Sequence, residues 1–201
     1  MLKVYDMSSS RNCYKIKLLL EQLARPYAWE EMDMMQGSTR TVGFLAMNPN
    51  GKVPTLEIKP GVFLAESNAV LYYLADETTF IPTDKLSRAR VLQWMFFEQY
   101  IHETYIAVAR FIRKFFPAGH PRQAELPRLH ERGYQALGVM EQHLAARSFF
   151  VDARYSIADI ALFAYTHEAE VGGFDLLNYP AVRRWLERVA DQPKFFPMTP
   201  R

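Results

Sequence analysis

The chain has 201 residues, 49% hydrophobic and 23% charged, with 24 basic against 22 acidic side chains and one cysteine, Cys13. This composition excludes a disordered chain and a disulfide-framed mini-protein, and a net charge of +2 is too small to indicate a nucleic-acid partner. The longest uncharged run, 41–51, is largely polar, so no segment approaches the ~18 apolar residues of a membrane span. No export signal follows Met1, and the expected location is the cytoplasm. The length fits one large domain or two small ones.

Residues 1–77 alternate between predicted strands and helices. The spacing of apolar residues separates the two kinds of element, and proline-rich and glycine-rich turns divide them. In chain order the predicted elements are a strand at 2–6, a helix at 14–23, a strand at 27–32, a short helix at 42–47, a hairpin of strands at 53–58 and 62–64, and a helix that begins at Ser67. The order is βαβ followed by ββα.

Strand signals disappear after residue 77. Residues 78–86 are predicted to be a linker, and 87–201 to form an all-helical domain with helices at 86–116, 123–146, 156–171 and 180–191. Ser156 and Asp159 fit a capping box, for which a role in folding is expected. Apolar residues at spacings of three and four predict a buried stripe on the first long helix, formed by Trp94, Phe97, Ile101, Tyr105, Val108 and Ile112.

The loop between the first strand and the first helix carries three serines followed by Arg11, Asn12 and Cys13. A helix N-terminus offers backbone N–H groups and a positive dipole end to an anion. Ser10 stands three residues before Cys13, which is the Cys-x-x-Cys spacing of thioredoxin-type redox proteins with serine in place of the first cysteine. A hydroxyl there can donate a hydrogen bond to the thiolate of a cosubstrate. The alternative is a serine that only caps the helix.

Two further segments have patterns suited to a peptide ligand. Val53-Pro54 enters a strand, and a cis proline there leaves the backbone of Val53 open to pair with an extended peptide, the alternative being an ordinary turn and edge strand. Glu66 and Ser67 open the next helix, with Ser67 as the expected N-cap. The helix N-terminus suits a carboxylate and Glu66 suits an ammonium, so this pair can hold an α-amino-acid head group. The alternative is a plain helix cap.

Together, in this order and at these separations, the motifs resemble those of the glutathione S-transferase family over almost the whole chain. Asn48 to Pro54 resembles the family's Asn-Pro-x-Gly-Lys-Val-Pro motif, and Glu66 to Leu71 resembles its Glu-Ser helix start. Ser10 falls on the serine position of theta-like and zeta-like members, of the serine type found in bacteria. The resemblance implies an N-terminal thioredoxin-like domain, a C-terminal all-helical domain, an active cleft between them, and a homodimer.

The resemblance also implies glutathione as cosubstrate and a hydrophobic electrophile as the second substrate, with no metal. The implied glutathione contacts are Ser10 at the sulfur and Val53 with Pro54 at the cysteinyl part. Glu66 and Ser67 are implied at the γ-glutamyl end, and Lys52 with Thr39 or Arg40 at the glycine end. Asn12 is a further candidate donor to the sulfur. Tyr105 and Arg110 are the candidates for the second-substrate pocket, and the terminal Phe195 to Met198 is expected to help close it. Ser9 is the alternative to Ser10.

Two other functions stay open. If the thiol of Cys13 faces the glutathione sulfur, the chain is a glutathione-dependent thiol-disulfide reductase or peroxidase. If the fold has lost catalysis, it is an interaction module. The electrophile cannot be derived from these motifs, since conjugating, isomerising, dehalogenating and peroxidase members share one glutathione site.

Overall fold

The computed structural model describes residues 1–198, which form two compact units. The first unit contains residues 1–78 together with the tail from Pro193 to Met198, and the second contains residues 79–192. The sequence-based boundary places this tail in the helical domain instead. Its apolar pattern does not reveal which of the two units it packs on, so the difference appears only in three dimensions.

The N-terminal unit is built on a four-stranded mixed sheet with the order β2-β1-β3-β4. Strand β1 pairs parallel with β2 and antiparallel with β3, and β3 pairs antiparallel with β4. This arrangement confirms the predicted thioredoxin-like domain. The elements are β1 (Leu2–Asp6), α1 (Arg11–Gln22), β2 (Tyr27–Glu31), a 3-10 turn (Ser38–Arg40), α2 (Val42–Met47), β3 (Thr55–Lys59), β4 (Val62–Ala65) and α3 (Ser67–Ala75).

Apolar burial explains how these elements assemble. Helix α1 packs against α3, and Ile16, Leu19 and Leu71 are completely buried. A separate cluster joins Tyr5 to Phe44, whose rings meet edge to face at 6.2 Å between centroids. The alternation of side chains along a strand accounts for this division, because Tyr5 points away from its buried neighbours in β1. The sheet therefore has a core on each face, and the end of β1 leads into the loop before α1.

The C-terminal unit is helical, as predicted. Its elements are α4 (Lys85–Phe97), a π-helical turn (Glu98–His102), α5 (Glu103–Phe115), a 3-10 turn (Pro121–Glu125), α6 (Leu126–Leu144), α7 (Ile157–Thr166), a 3-10 turn (Ala169–Gly172) and α8 (Pro180–Ala190). None of the helices described in residues 1–198 is both long and apolar enough to cross a bilayer.

The predicted stripe on the first long helix is wrong in its middle. Ile101 is 46% exposed, whereas Glu98 and His102 are completely buried. The π-helical turn spans these residues, and His102 Nε2 lies 2.9 Å from Thr166 Oγ1. Polar side chains therefore occupy buried positions in the middle of this stripe. The buried face passes through His102, one residue after the predicted Ile101.

Asp159 is the centre of a buried hydrogen-bond network, and the predicted capping box with Ser156 is confirmed. Its carboxylate accepts from the Ser156 N–H at 3.0 Å, the Phe150 N–H at 3.2 Å and Trp185 Nε1 at 2.9 Å. Burial raises the pKa of Asp159 to about 6, and the hydrogen bonds from Trp185 and the backbone limit the rise. The network ties the start of α7 to the loop before it and to α8.

Replacing Asp159 with Ala is expected to lower the free energy of unfolding by about 3–5 kcal/mol, because four buried donors, counting the Ser156 hydroxyl at 3.1 Å, lose their acceptor together. Trp185→Phe removes one donor and keeps the carboxylate, so its loss should be smaller. Urea unfolding at pH 7 measures both, with the exposed Asp191→Ala as control. A loss below about 1 kcal/mol for Asp159→Ala would show that water replaces the network.

Candidate functional site

Ser10 is the N-cap of α1. Its Oγ accepts a hydrogen bond from the Cys13 N–H at 3.4 Å, and its own N–H donates to Met7 O at 2.7 Å. The capping bond uses an oxygen lone pair, so the hydroxyl hydrogen remains a donor; within the chain its neighbour is the Cys13 sulfur, and it can turn from there toward a ligand. Ser9 instead offers its backbone oxygen to Arg11 Nη1 at 2.6 Å. Among the three serines, Ser10 alone is the helix cap.

Cys13 lies on the inner side of α1 and is completely buried. Burial raises the pKa of its thiol well above the ordinary value, and the adjacent carboxyl of Asp6 raises it further. A hydrogen bond from Ser10 acts in the opposite direction but is the smaller influence. Because the thiolate is the nucleophilic form of cysteine, this environment makes Cys13 a poor nucleophile.

Asp6, at the end of β1, is completely buried. Burial raises its pKa to about 8, although the Cys13 thiol lowers it through a hydrogen bond. The folded state thus retains a proton that an unfolded Asp, with a pKa near ~3.9, releases. The free energy of unfolding must therefore fall as the pH rises from about 4 to about 8.

Asp6→Asn should remove this pH dependence, because the amide has nearly the same shape and does not ionise. We expect the variant to exceed the wild type in stability at pH 9 by about 2–5 kcal/mol, and to lose that advantage near pH 4. Urea unfolding at several pH values measures the difference. The contribution of Asp159 is common to both proteins and cancels. Parallel curves for wild type and variant would contradict the raised pKa.

The loop before β3 is held by Asn48, which is 4% exposed. Asn48 Nδ2 donates to Lys52 O at 2.9 Å and to Thr55 Oγ1 at 3.1 Å, and Asn48 Oδ1 accepts from the Asn50 N–H at 3.1 Å. The peptide bond between Val53 and Pro54 is cis, which is the thioredoxin-like alternative of the two that the sequence left open. Asn48 thus sets the path of the chain on which Lys52 and Val53 lie. The sequence motif alone did not predict this structural role of Asn48.

Arg40 and Thr39 lie against this loop. Arg40 Nη1 donates to Asn50 O at 3.3 Å, and Thr39 is 2% exposed. Gly51 has a φ of +61°, and a Cβ there would lie 2.7 Å from Arg40 Nη1 and 2.9 Å from Thr39 O. The absence of a side chain at Gly51 lets the Arg40 guanidinium approach. The structure thereby brings Arg40 close to the segment that carries Lys52.

Helix α3 begins at Ser67, as predicted, but its N-cap is Glu66. The expectation that Ser67 is the cap is wrong by one residue. Glu66 is exposed, has a φ of 67°, and forms no side-chain capping bond with the described part of the helix. A non-glycine residue at positive φ is strained, and such strain concentrates at functional sites. The carboxylate of Glu66 is therefore presented outward at a helix N-terminus.

The Ser67 side chain joins α3 to α1. Ser67 Oγ donates to Asn12 Oδ1 at 3.1 Å and accepts from Lys15 Nζ at 3.4 Å, and Lys15 is completely buried. Asn12 is thus placed beside Ser67, at the end predicted for the γ-glutamyl group. The sequence reading missed Lys15. Its signal is a cation on the apolar face of α1, four residues before the buried Leu19.

Two substitutions at Glu66 separate strain from binding. Glu66→Gly should raise the free energy of unfolding by about 1 kcal/mol, because glycine adopts a positive φ without steric cost. Glu66→Ala retains a Cβ and should give no such gain. Both remove the carboxylate, so both should weaken glutathione binding about tenfold in calorimetric titrations. Equal stability of the two variants would argue against strain at this residue.

The two predicted second-substrate residues differ in their surroundings. Tyr105 is half-buried on α5. Arg110 is 5% exposed, and its Nε lies 2.8 Å from Glu168 Oε2 in an ion pair. Burying this pair is favourable only while both partners remain, so the Arg110 guanidinium contributes to the helical unit itself. Its contact with a substrate stays a prediction, which its burial disfavours.

Within residues 1–198, no group of three or more His, Cys, Asp or Glu side chains has an arrangement that could hold a metal ion. The polar groups collected near the loop before α1 and at the start of α3 instead suit a peptide-like ligand with charged ends. Helix N-termini, the Glu66 carboxylate and the Arg40 guanidinium supply donors and charges of both signs.

Two family models match the chain. One describes the glutathione S-transferase N-terminal domain and matches residues 1–76, and the other describes the C-terminal domain and matches residues 93–193. The chain belongs to the glutathione S-transferase family. As a member of that family it is a transferase.

Individual relatives agree with this assignment. A glutathione S-transferase from Pseudomonas fluorescens is 52% identical, with 98% of each chain covered and a TM-score of 0.96. Another family member from that species, solved with two glutathione molecules bound, is 27% identical, with 96% of this chain and 89% of the other covered and a TM-score of 0.85. The disulfide-bond oxidoreductase YfcG of Escherichia coli is 28% identical over 201 residues, covering 90% of this chain and 87% of YfcG.

Proposed function

We propose that this glutathione S-transferase family member binds glutathione, keeps its sulfur ionised, and directs the thiolate to attack a hydrophobic electrophile. The observation that carries the proposal is the position of Ser10 at the N-cap of α1, with its hydroxyl hydrogen able to donate. The solved relative with bound glutathione supports the choice of cosubstrate. The serine-type subclass remains part of this proposal.

The free energy needed to lower the pKa of the glutathione thiol is small enough for Ser10 and the α1 dipole to supply. Lowering the pKa of a thiol by one unit requires about 1.4 kcal/mol. A charge-assisted hydrogen bond from Ser10 and the positive end of the α1 dipole can each contribute about 1 kcal/mol or more. Together they bring a thiol with an ordinary pKa near ~8.5 into the neutral range. No residue of the chain has to supply a nucleophile.

The contacts proposed for the rest of glutathione match its backbone with a strand and its charged groups with protein groups of opposite charge. In the proposal the backbone of Val53, before Pro54, pairs with the cysteinyl part, as an added strand does at a sheet edge. The γ-glutamyl carboxylate meets the N-terminus of α3 at Ser67, whose side chain is already bonded to Asn12 and Lys15. The ammonium of the same γ-glutamyl residue pairs with the exposed carboxylate of Glu66.

The glycine end of glutathione carries the other carboxylate. We propose that Lys52 and Arg40, with Thr39 beside them, neutralise it, since Arg40 lies against the loop that ends at Lys52. Arginine suits this role because its planar guanidinium can bind a carboxylate through two hydrogen bonds.

A thiol-disulfide reductase is the second candidate, favoured by the similarity to the oxidoreductase YfcG. Such a reaction through Cys13 requires its thiolate to reach a disulfide. Cys13 is completely buried and its pKa is raised by that burial, both of which oppose the requirement. A reductase that uses only the sulfurs of glutathione remains compatible with the Ser10 geometry.

Ser10→Ala and Cys13→Ala distinguish these functions. We expect Ser10→Ala to lower kcat for conjugation about 100-fold, the usual effect of losing a donor to a developing anion. The pKa of bound glutathione, followed through thiolate absorbance, should rise in the same variant. Cys13→Ala and the control Ser9→Ala should keep both values. Full activity in Ser10→Ala with loss in Cys13→Ala would overturn the proposal.

Homodimer formation, a cytoplasmic location and a role in detoxification complete the proposed function. Three large side chains on successive turns of one helix face support the dimer: Leu92 is 37% exposed, Phe96 61% and Tyr100 72%. Apolar patches of this kind mark protein interfaces. Tyr105 and Arg110 stay proposed as residues of the second-substrate pocket, and the electrophile itself is open.

A further inference from the structure

The C-terminal tail, residues 193–198, packs on helix α1. Tyr14 Oη donates a hydrogen bond to Phe196 O at 2.7 Å, and the two residues are 182 positions apart in the sequence. Tyr14 itself is buried, with 3% of its surface exposed. The backbone at Lys194 has a φ of 56°, which non-glycine residues seldom adopt. The tail therefore follows a defined path to reach Tyr14.

A second contact of the tail involves Lys17, which lies one turn after Tyr14 on α1. Its Nζ is 4.6 Å from the centre of the Phe196 ring and 4.8 Å from the centre of the Trp29 ring on β2. A cation between two aromatic rings is attracted to both of them. The tail is thus attached to the N-terminal half of α1 at two points, and Lys17 links it to β2.

Tyr14 is also bonded directly to the proposed thiol donor. The Tyr14 N–H donates to Ser10 O at 3.0 Å, which is the first hydrogen bond of α1. The hydroxyl of the same residue is bonded to Phe196 O. Tyr14 therefore connects the tail to the helix cap, and a shift of Tyr14 is a shift of Ser10.

A different contact holds the same turn of α1 on its other side. Asn12 Oδ1 accepts from Ser67 Oγ at 3.1 Å and so joins α1 to α3. At about 100° per residue, Asn12 and Tyr14 lie about 200° apart around the helix axis. The first turn of α1 is thus held from two nearly opposite directions, by α3 and by the tail.

The two contacts have different consequences for glutathione. The contact at Ser67 lies at the proposed γ-glutamyl end, and the contact at Phe196 lies on the other side of α1. Without the bond from Tyr14, the first turn can pivot about α3, which displaces the Ser10 hydroxyl and keeps the γ-glutamyl contacts. Hydrogen bonds weaken steeply when their geometry is lost. Ionisation of the sulfur should therefore suffer before binding of the tripeptide does.

We propose that Tyr14 is a positioning residue for the Ser10 hydroxyl, and that residues 193–198 provide the anchor to which Tyr14 is bonded. The inference rests on the proposed function, because it concerns the same hydroxyl and the same sulfur. It adds that a segment which need not touch glutathione sets how strongly the thiol is acidified.

Tyr14→Phe removes the hydroxyl and keeps the ring. We expect the pKa of bound glutathione, followed through thiolate absorbance, to rise by about 0.5 to 1, because the donor to the thiolate is misplaced. The kcat for conjugation at pH 6 should fall about three- to tenfold, since less of the bound thiol is ionised. S-methylglutathione, whose sulfur cannot ionise, should bind in calorimetry with an affinity changed less than about twofold.

Tyr27→Phe is the matched control. Tyr27 Oη donates to Glu21 Oε1 at 2.8 Å, so this change removes a tyrosine hydrogen bond at the other end of α1. It should leave the pKa of bound glutathione as in the wild type. An unchanged pKa in Tyr14→Phe, or an equal rise in Tyr27→Phe, would overturn the inference.

A chain that ends at Gln192 identifies the partner of the hydroxyl. Removing the tail should raise the pKa of bound glutathione at least as much as Tyr14→Phe does, and adding Tyr14→Phe to the shortened chain should cause no further rise. A full additional rise would show that the hydroxyl acts through another group, and would refute the role of the tail.

Ser10→Ala separates a failure of this inference from a failure of the proposed function. If Ser10→Ala leaves the pKa of bound glutathione unchanged, the proposed function itself is wrong. If Ser10→Ala raises that pKa and Tyr14→Phe does not, only the positioning role of Tyr14 is wrong.

Discussion

Ser67 Oγ is the point on which the candidate site depends. It bonds to Asn12 and to the buried Lys15, and so holds the N-termini of α1 and α3 together. Each terminus presents N–H groups that lack intrahelical partners, and a ligand with an anionic sulfur and a carboxylate needs both sets at a fixed separation. A buried ammonium is tolerated there because Ser67 accepts from it. It also adds positive charge beneath the end at which a carboxylate is proposed to bind.

The hydroxyl of Ser10 and the thiol of Cys13 lie in different environments, although both belong to the first turn of α1. Ser10 is the half-buried cap, whereas Cys13 is completely buried beside Asp6. A hydroxyl at a cap keeps a donor for an incoming anion, and a thiol in the interior keeps its proton. One turn of helix thus decides whether the reacting sulfur comes from the protein or from the cosubstrate, and the structure favours the cosubstrate.

Local rules predict most of the fold, and they fail where polar groups are buried. The βαβ-ββα order, the helical second half and the cis bond at Val53 follow from periodicity, turn residues and the family resemblance. The buried face at Glu98 and His102 does not, because apolar spacing assigns burial to neighbours such as Ile101. Likewise the loop motifs identify the candidate site residues, but the buried Lys15 needs a contact across 52 positions. Such partners are distant in sequence and leave no local pattern.

The same limit applies to the tail and to Asp6. A run of apolar residues at a C-terminus has no periodicity that selects its partner, so Phe196 becomes informative only once its carbonyl is seen to accept from Tyr14. Asp6 looks ordinary in a strand, yet its complete burial makes the ionised carboxylate costly, and the hydrogen bond from the Cys13 thiol offsets only part of that cost. A strand that ended on an apolar residue would avoid that cost. Keeping an acid at this position therefore lowers the free energy of unfolding as the pH rises toward 8, because the folded protein must then either hold the proton or bury a charge.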